Sequence, residues 1–426
     1  MSRVTLSGIA YSDFGSRLRP PAITSLMQAA LEDPTVLSLA AGFTDSSSLP
    51  VEAVGRAVQV LEEKDGPPEY LQYGTNQGRP RLRRLLAEFI GAHDKSTTGS
   101  IDPADVFITN GSQQALYLAT RVLCEPGDIV LVERPSYFVY LDMLRGLGVD
   151  IRTIPESADG SFDPDGLAFF LGRCELDGCA GNIKIVYLES YFSNPTGGCR
   201  TEKEKREIAR VLTASAANPV ALEDAAYRDL YFHGPYPGGS ILSLKEFDSI
   251  PCLYLGTLTK PYASGLKVGF GICTDQGWMQ RMLWLKCHTD FGTANFNQAI
   301  LEEIIFDGGL DRQTAKLRKR YLGKMDALHD ALVAEGLGRI GWKWTKPLGG
   351  LYLWLQAPGG LDTRINSPFW QACREEHVLY VPGDLSYSGE APTDRVRLSF
   401  GVLNMDDLAR AAARFGRASR RILMSA

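Results

Sequence analysis

The sequence predicts an α/β fold, with a large domain on a mostly parallel seven-stranded sheet and a smaller α+β domain. Three observations point there. Short apolar segments of strand length recur at 106–109, 129–133, 150–154, 183–189, 220–223, 252–255 and 268–273. Helix-length amphipathic segments lie between several of them, including 112–123 and 201–214, the alternation that builds a parallel sheet covered on both faces. Polar residues with chemical potential fall just after these strands, at the carboxyl edge where such sheets bind ligands.

Length and composition narrow the class. A chain of 426 residues has room for two or three domains. An apolar content of 44% and a charged content of 22% are ordinary for a globular protein. The net charge of −5 argues against a nucleic-acid surface, which is normally basic. No apolar run approaches the roughly 20 residues of a membrane helix, and the first residues lack a signal-peptide core. A cytoplasmic location without membrane partners is expected. Eight scattered cysteines and five histidines show no paired or metal-ligating spacing, so reduced cysteines and no metal site are expected.

In chain order, an arm leads into a helix over 22–31, where Ile23, Leu26, Met27 and Ala30 share one face. A short apolar strand follows at 37–42, ending in Gly42, and Pro50 opens the next helix from its first turn. Leu82, Leu85, Leu86, Phe89 and Ile90 mark one face of another helix, after a loop holding Tyr73. The seven strands come next. A long helical region from Trp278 to about Leu337 is broken near 291–294 and 307–309. Strands at 349–355, 378–381 and 395–400 and a helix over 405–420 then make the smaller domain. The expected division is 1–50 for the arm and part of the small domain, 51–315 for the large domain and 316–426 for the small one.

The chemistry concentrates around 256–269. A strand runs into a turn bearing Thr257, Thr259 and Lys260, and Lys267 follows seven residues on. Hydroxyls and a cation suit a doubly charged phosphate, and Lys260 is placed as a nucleophilic amine that combines with a carbonyl. Ser112 and Gln113 open a helix after a strand, making either an anion site or an ordinary N-cap. Tyr137 follows the next strand, placed to stack on a flat ring or simply to pack. Asn194-Pro195-Thr196-Gly197 forms a turn directly after a strand, and Asp224 and Tyr227 stand at the end of another. Arg395 and Arg397 share one face of a late strand, and a guanidinium there suits bidentate capture of a carboxylate.

This series resembles the fold-type-I aminotransferases dependent on pyridoxal 5'-phosphate, class I/II. The branch of the kynurenine and 2-aminoadipate aminotransferases is the nearest match, in the right order from Gly42 to Arg397. The carriers are the lysine stretch, Ser193-Asn194-Pro195-Thr196-Gly197, Asp224 at 30 residues after Asn194 and 36 before Lys260, and Arg397-Leu-Ser-Phe. The resemblance implies Lys260, Asp224 and Tyr227 as catalytic residues. Lys260 would join the cofactor's aldehyde, Asp224 would keep the ring nitrogen protonated, and Tyr227 would hydrogen-bond the phenolic oxygen with Asn194. Ser112, Gln113, Thr257, Thr259 and Lys267 would hold the phosphate, Tyr137 would stack on the ring, and Tyr73 would reach the phosphate of the other subunit in a homodimer. Gly42, Asn194 and Arg397 would receive the substrate, an amino acid whose amino group passes to a 2-oxo acid.

Three departures from the branch stand out. Threonines occupy 257 and 259 where serines are usual, Lys267 stands for an arginine, and the 44–50 loop lacks the usual glycine- and proline-rich sequence. They keep open an alternative on the same cofactor. In it, a leaving group at the β or γ carbon of a substrate such as S-adenosylmethionine is eliminated or replaced, in specialised biosynthesis. A regulator on the same fold is a third reading. Tyr11, Phe14, Tyr70 and Tyr352 are aromatic candidates for the substrate pocket.

Overall fold

The computed structural model describes residues 10–21, 24, 26, 28, 33, 35–94, 101–157 and 160–425. Most of the helix expected over 22–31 lies outside them. The strands in chain order are β1 (Leu37–Ser38), β2 (Val106–Asn110), β3 (Ile129–Val132), β4 (Asp150–Thr153), β5 (Ile183–Leu188), β6 (Val220–Asp224) and β7 (Cys252–Thr257). They continue with β8 (Val268–Cys273), β9 (Lys343–Trp344), β10 (Tyr352–Gln356), β11 (Val378–Leu379), β12 (Val381–Pro382) and β13 (Arg395–Ser399).

Seven of them form one sheet in the order β2-β8-β7-β6-β5-β3-β4. Their apolar residues alternate between the two faces of the sheet, as side chains on successive strand positions must. Val130 and Val132 of β3 join one cluster, with helices Gly111–Leu123, Phe138–Leu147 and Gln276–Asp290. Ile129 and Leu131 join the other, with helices Pro164–Leu176 and Glu202–Thr213. Both faces are dry, which is why these strands read as continuous apolar runs rather than alternating ones. Helix Glu202–Thr213 is started by a reciprocal capping box between Thr201 and Glu204.

Every strand expected in this sheet forms, but β8 runs antiparallel to both β7 and β2. The cause lies in the connection. Residues 258–267 are too few for a crossover helix, so the chain turns back on itself as a hairpin. Lys260 therefore sits in that turn, at the carboxyl end of β7.

The second sheet, β12-β13-β10-β9, is antiparallel, and β1 pairs with β11 in parallel. Beyond β1 the chain stays pinned, since Leu39 N–H donates to the Leu379 carbonyl at 2.8 Å and its own carbonyl accepts from Ser399 N–H at 2.7 Å. This fixes residues 39–43 beside the carboxyl edge of the large sheet. The short helix Asp13–Arg17 instead lies on helix Phe138–Leu147, with Arg17 Nε donating to the Gly146 carbonyl at 3.2 Å. Residues 13–17 thus pack on a helix that covers the large sheet. Among the described residues, no helix is long and apolar enough to cross a membrane, and no cluster of metal-ligating side chains forms.

Candidate active site

A cavity of about 540 Å³ opens at the carboxyl edge of the large sheet, within the roughly 300–1,000 Å³ of small-molecule sites. Gly42, Ser112, Gln113, Tyr137, Asn194, Asp224, Tyr227, Thr257, Thr259, Lys260, Lys267 and Arg397 all line it. Loops after β2, β3, β5, β6 and β7 and strand β13 converge there, so residues 355 positions apart meet around one space. Tyr73 does not. It is 79% exposed, outside the cavity, with its ring edge-on to Phe291 at 5.6 Å.

Helix Gly111–Leu123 shows how local sequence shapes one end of the cavity. Asn110 occupies the N-cap but makes no side-chain cap. Its amide donates instead to Asp290 at 2.7 Å, where Gln114 and Lys286 also bind. The first-turn N–H groups are left facing the cavity, an arrangement that accepts an anion. The neighbouring strand must come very close to that turn. A Cβ on Gly269 would stand 2.5 Å from Gly111 C and Ser112 N, so only glycine fits. Beside that turn, Thr259 Oγ1 is buried with no protein partner, while its N–H donates to Thr257 Oγ1 at 3.1 Å. An orphaned buried hydroxyl is costly unless a ligand completes it. Lys267 lines the same end, exposed and left-handed at φ 57°.

The floor is set by β5 and β6. Asp224 Oδ2 accepts from the Tyr187 hydroxyl at 3.0 Å and Oδ1 from Ala226 N–H at 3.0 Å. Burial raises its pKa despite these donors, so a cationic partner would stabilise its ionised form strongly. Burial likewise keeps the Tyr227 phenol protonated, beside Tyr352, whose hydroxyl lies 2.8 Å away. Lys260 Nζ donates to the Gly42 carbonyl at 2.7 Å. Burial lowers its pKa and the Arg397 and Lys267 cations add to this, against an opposing effect of Tyr352, favouring the neutral amine that attacks a carbonyl.

Another wall of the cavity is built on Arg397, only 2% exposed. Its Nη1 donates to Asn194 Oδ1 and its Nη2 to the Ala40 carbonyl, both at 2.7 Å. Nε has no protein partner, and Arg397 forms no salt bridge with any described carboxylate. Rings of Tyr352 and Phe138 lie 4.2 and 5.4 Å from the guanidinium carbon. Since arginine only donates, Asn194 must turn Oδ1 towards it, leaving Nδ2 as a free donor. Arg395 points elsewhere, to Asp394 at 2.8 Å.

These features fit pyridoxal phosphate: uncapped N–H groups and an orphaned hydroxyl for the phosphate, a buried carboxylate for the ring nitrogen, and a lysine amine. Among the lining residues that sequence reasoning left without a role are Glu189, Phe138 and Phe43, while Tyr352, one of the aromatic pocket candidates, does line the cavity. Tyr11, Phe14 and Tyr70 lie outside the cavity. The loop at 44–50 is held from below, as Asp45 caps the turn Ser46–Ser48 and pairs with Arg320 and, at 2.7 Å, Lys324.

Comparisons with known proteins agree. The family model for aminotransferase class I and II matches residues 34–415. The chain is 30% identical to a 2-aminoadipate transaminase of Thermus thermophilus, over 97% of each chain. It is 32% identical to aromatic-amino-acid aminotransferase 1 of Thermococcus litoralis, over 87% of this chain and 84% of that one. A kynurenine aminotransferase of Pyrococcus horikoshii, solved with PMP, superposes with a TM-score of 0.85 at 28% identity over 97% of both chains. A match of this extent, on a cavity whose donors fit the cofactor, places the chain in the class I and II aminotransferase family, on a fold-type-I scaffold with pyridoxal phosphate as its cofactor.

Proposed function

We propose that this aminotransferase takes amino acids with large apolar or aromatic side chains as donors, through a site organised by Lys260, Asp224 and Arg397. The overall reaction is transfer of an amino group to a 2-oxo acid, and the relatives do not favour elimination or replacement as its outcome. The observation that carries the reading is Arg397. A buried guanidinium cannot shed its proton, and without a carboxylate partner it demands an anion from the ligand. Beyond it the walls are Phe43, Phe138, Val139 and Tyr352, and no second arginine lines the cavity among the described residues. A large apolar side chain fits such walls, and two of the relatives are named for aromatic and kynurenine substrates.

Bound here, pyridoxal phosphate supplies an aldehyde for the amino group and a ring that withdraws electrons from the substrate α-carbon. The chain's own residues do the rest. First-turn N–H groups with Ser112 and Gln113, hydroxyls of Thr257 and Thr259, and Lys267 hold the phosphate. Asp224 keeps a proton at the ring nitrogen, Asn194 Nδ2 and the Tyr227 hydroxyl donate to the phenolic oxygen, and Tyr137 covers one ring face. Arg397 and Gly42 orient the substrate carboxylate. Lys260 Nζ, neutral through burial, moves the proton at the substrate α-carbon.

The assembly we favour is a cytoplasmic homodimer with shared sites, acting in biosynthesis. Support for sharing comes from Tyr73 and Phe291, an exposed aromatic pair that does not line their own cavity. The same reading divides the chain into an arm with part of the small domain (1–50), a large domain (51–315) and a small one (316–426). A donor panel tests the substrate class: kcat/KM should be highest for aromatic amino acids, and a preference for acidic side chains would overturn it. Borohydride reduction and peptide mapping should place the pyridoxyl label on Lys260, and a label elsewhere would sink the assignment.

A further inference from the structure

Glu189 follows β5 and is 6% exposed, yet lines the cavity. Its Oε1 accepts from Tyr137 N–H at 2.7 Å and from the Ser136 hydroxyl at 3.0 Å. Its Oε2 accepts from Asn194 N–H at 3.2 Å. Three donors from two loops therefore end on one carboxyl group. None of them comes from a cation, and Glu189 makes no salt bridge among the described residues. The adjacent acid, Glu133, is already matched by Arg200 at 2.6 Å. Asp224, the other carboxylate nearby, is held by Tyr187 and Ala226. Burial beside Glu133 and Asp224 pushes Glu189 up, and the donors from Tyr137 and Ser136 pull against that rise.

We propose that Glu189 is a positioning residue, its carboxylate locking the loop that carries Tyr137 to the loop that carries Asn194. The inference rests on the roles proposed above for those two residues. One loop sets the ring-face contact, and the other aims Nδ2 of Asn194, whose Oδ1 is already committed to Arg397. Without the shared acceptor, each loop is free to move relative to the other. Glutamate suits this position because it only accepts. A glutamine of the same shape keeps one acceptor oxygen and presents N–H groups to the remaining donor, so one arm of the tie must break.

The test uses the cofactor-loaded protein and reads the pH midpoint of the bound cofactor's absorbance change. Asn194 stabilises an anionic phenolic oxygen, and a misdirected amide gives up that stabilisation. Glu189→Gln should raise the midpoint by about one pH unit, the shift that corresponds to one lost hydrogen bond of ordinary net strength. Asn194→Ala should move it the same way. Glu189→Ala carries the same prediction with a larger shift, so one folded variant of the two suffices. An unchanged midpoint in Glu189→Gln, with Asn194→Ala shifted, overturns the inference and leaves the site intact. If Asn194→Ala also leaves the midpoint in place, the role of Asn194 itself fails, and the inference with it.

Discussion

Replacing Arg397 with lysine keeps the charge and removes the fork. A guanidinium has five N–H donors; one goes to Asn194 and one to Ala40, each at 2.7 Å, leaving three for a ligand, including the unpartnered Nε. An ammonium has three donors, and meeting the same two acceptors leaves one. The substrate carboxylate then loses one of two charge-assisted hydrogen bonds. At about 1.5–3 kcal/mol this weakens binding roughly 10- to 150-fold. Because the contact holds ground state and transition state alike, the loss should appear in KM, with kcat nearly unchanged. Steady-state kinetics with an aromatic amino acid read this directly, and cofactor affinity is measured alongside. An amine lacking the α-carboxylate should react equally with both proteins. A Arg397→Lys protein with unchanged KM, or with weakened cofactor binding as its main defect, would refute the assignment.

Further outcomes follow from the same contacts. Thr259→Val removes a buried hydroxyl that has no protein partner, so pyridoxal phosphate should bind about 10- to 150-fold more weakly while the apoprotein melts no earlier. Lys205 and Glu223 form a fully buried pair at 3.0 Å, and Lys205→Ala should cost roughly 3–5 kcal/mol in chemical denaturation because Glu223 loses its counter-charge. For Asp45, burial raises the carboxyl, but hydrogen bonds from Arg320, Lys324 and Ser47 outweigh it and hold the pKa at about 2. A depressed carboxylate stabilises the fold above its unfolded pKa and loses this as pH falls through the folded one. The advantage of the native chain over Asp45→Asn should therefore be steady above about pH 4 and shrink towards pH 2, with the depressed pKa contributing about 1–2 kcal/mol after solvent screening at Arg320.

Much of the fold was legible because the central strands are apolar on both faces and the turns between elements carry Gly, Pro or caps. What escaped was decided by partners distant in sequence. The antiparallel direction of β8 depends on the length of the connection after Lys260, not on any pattern within the strand. Tyr352 reaches the cavity because β10 pairs with β13 in a register that sets Tyr352 opposite Ser399, and no local signal selects it over Tyr11 or Tyr70. Glu189 looked like the polar end of a strand, since its donors at Ser136 and Tyr137 lie more than 50 positions back. The site residues read from motifs do meet in one cavity, all except Tyr73, which a single chain leaves on its surface.

The central claim is that the amino group leaves the substrate on the cofactor. The direct measurement is a single half-reaction: cofactor-loaded protein mixed with an aromatic amino acid and no 2-oxo acid. The account predicts one equivalent of pyridoxamine phosphate and one of 2-oxo acid per active site, with 2-oxoglutarate then restoring the original spectrum, and no conversion in Lys260→Ala. It would be contradicted if no amino acid in a broad panel yields pyridoxamine phosphate while a substrate with a γ leaving group turns over without any acceptor.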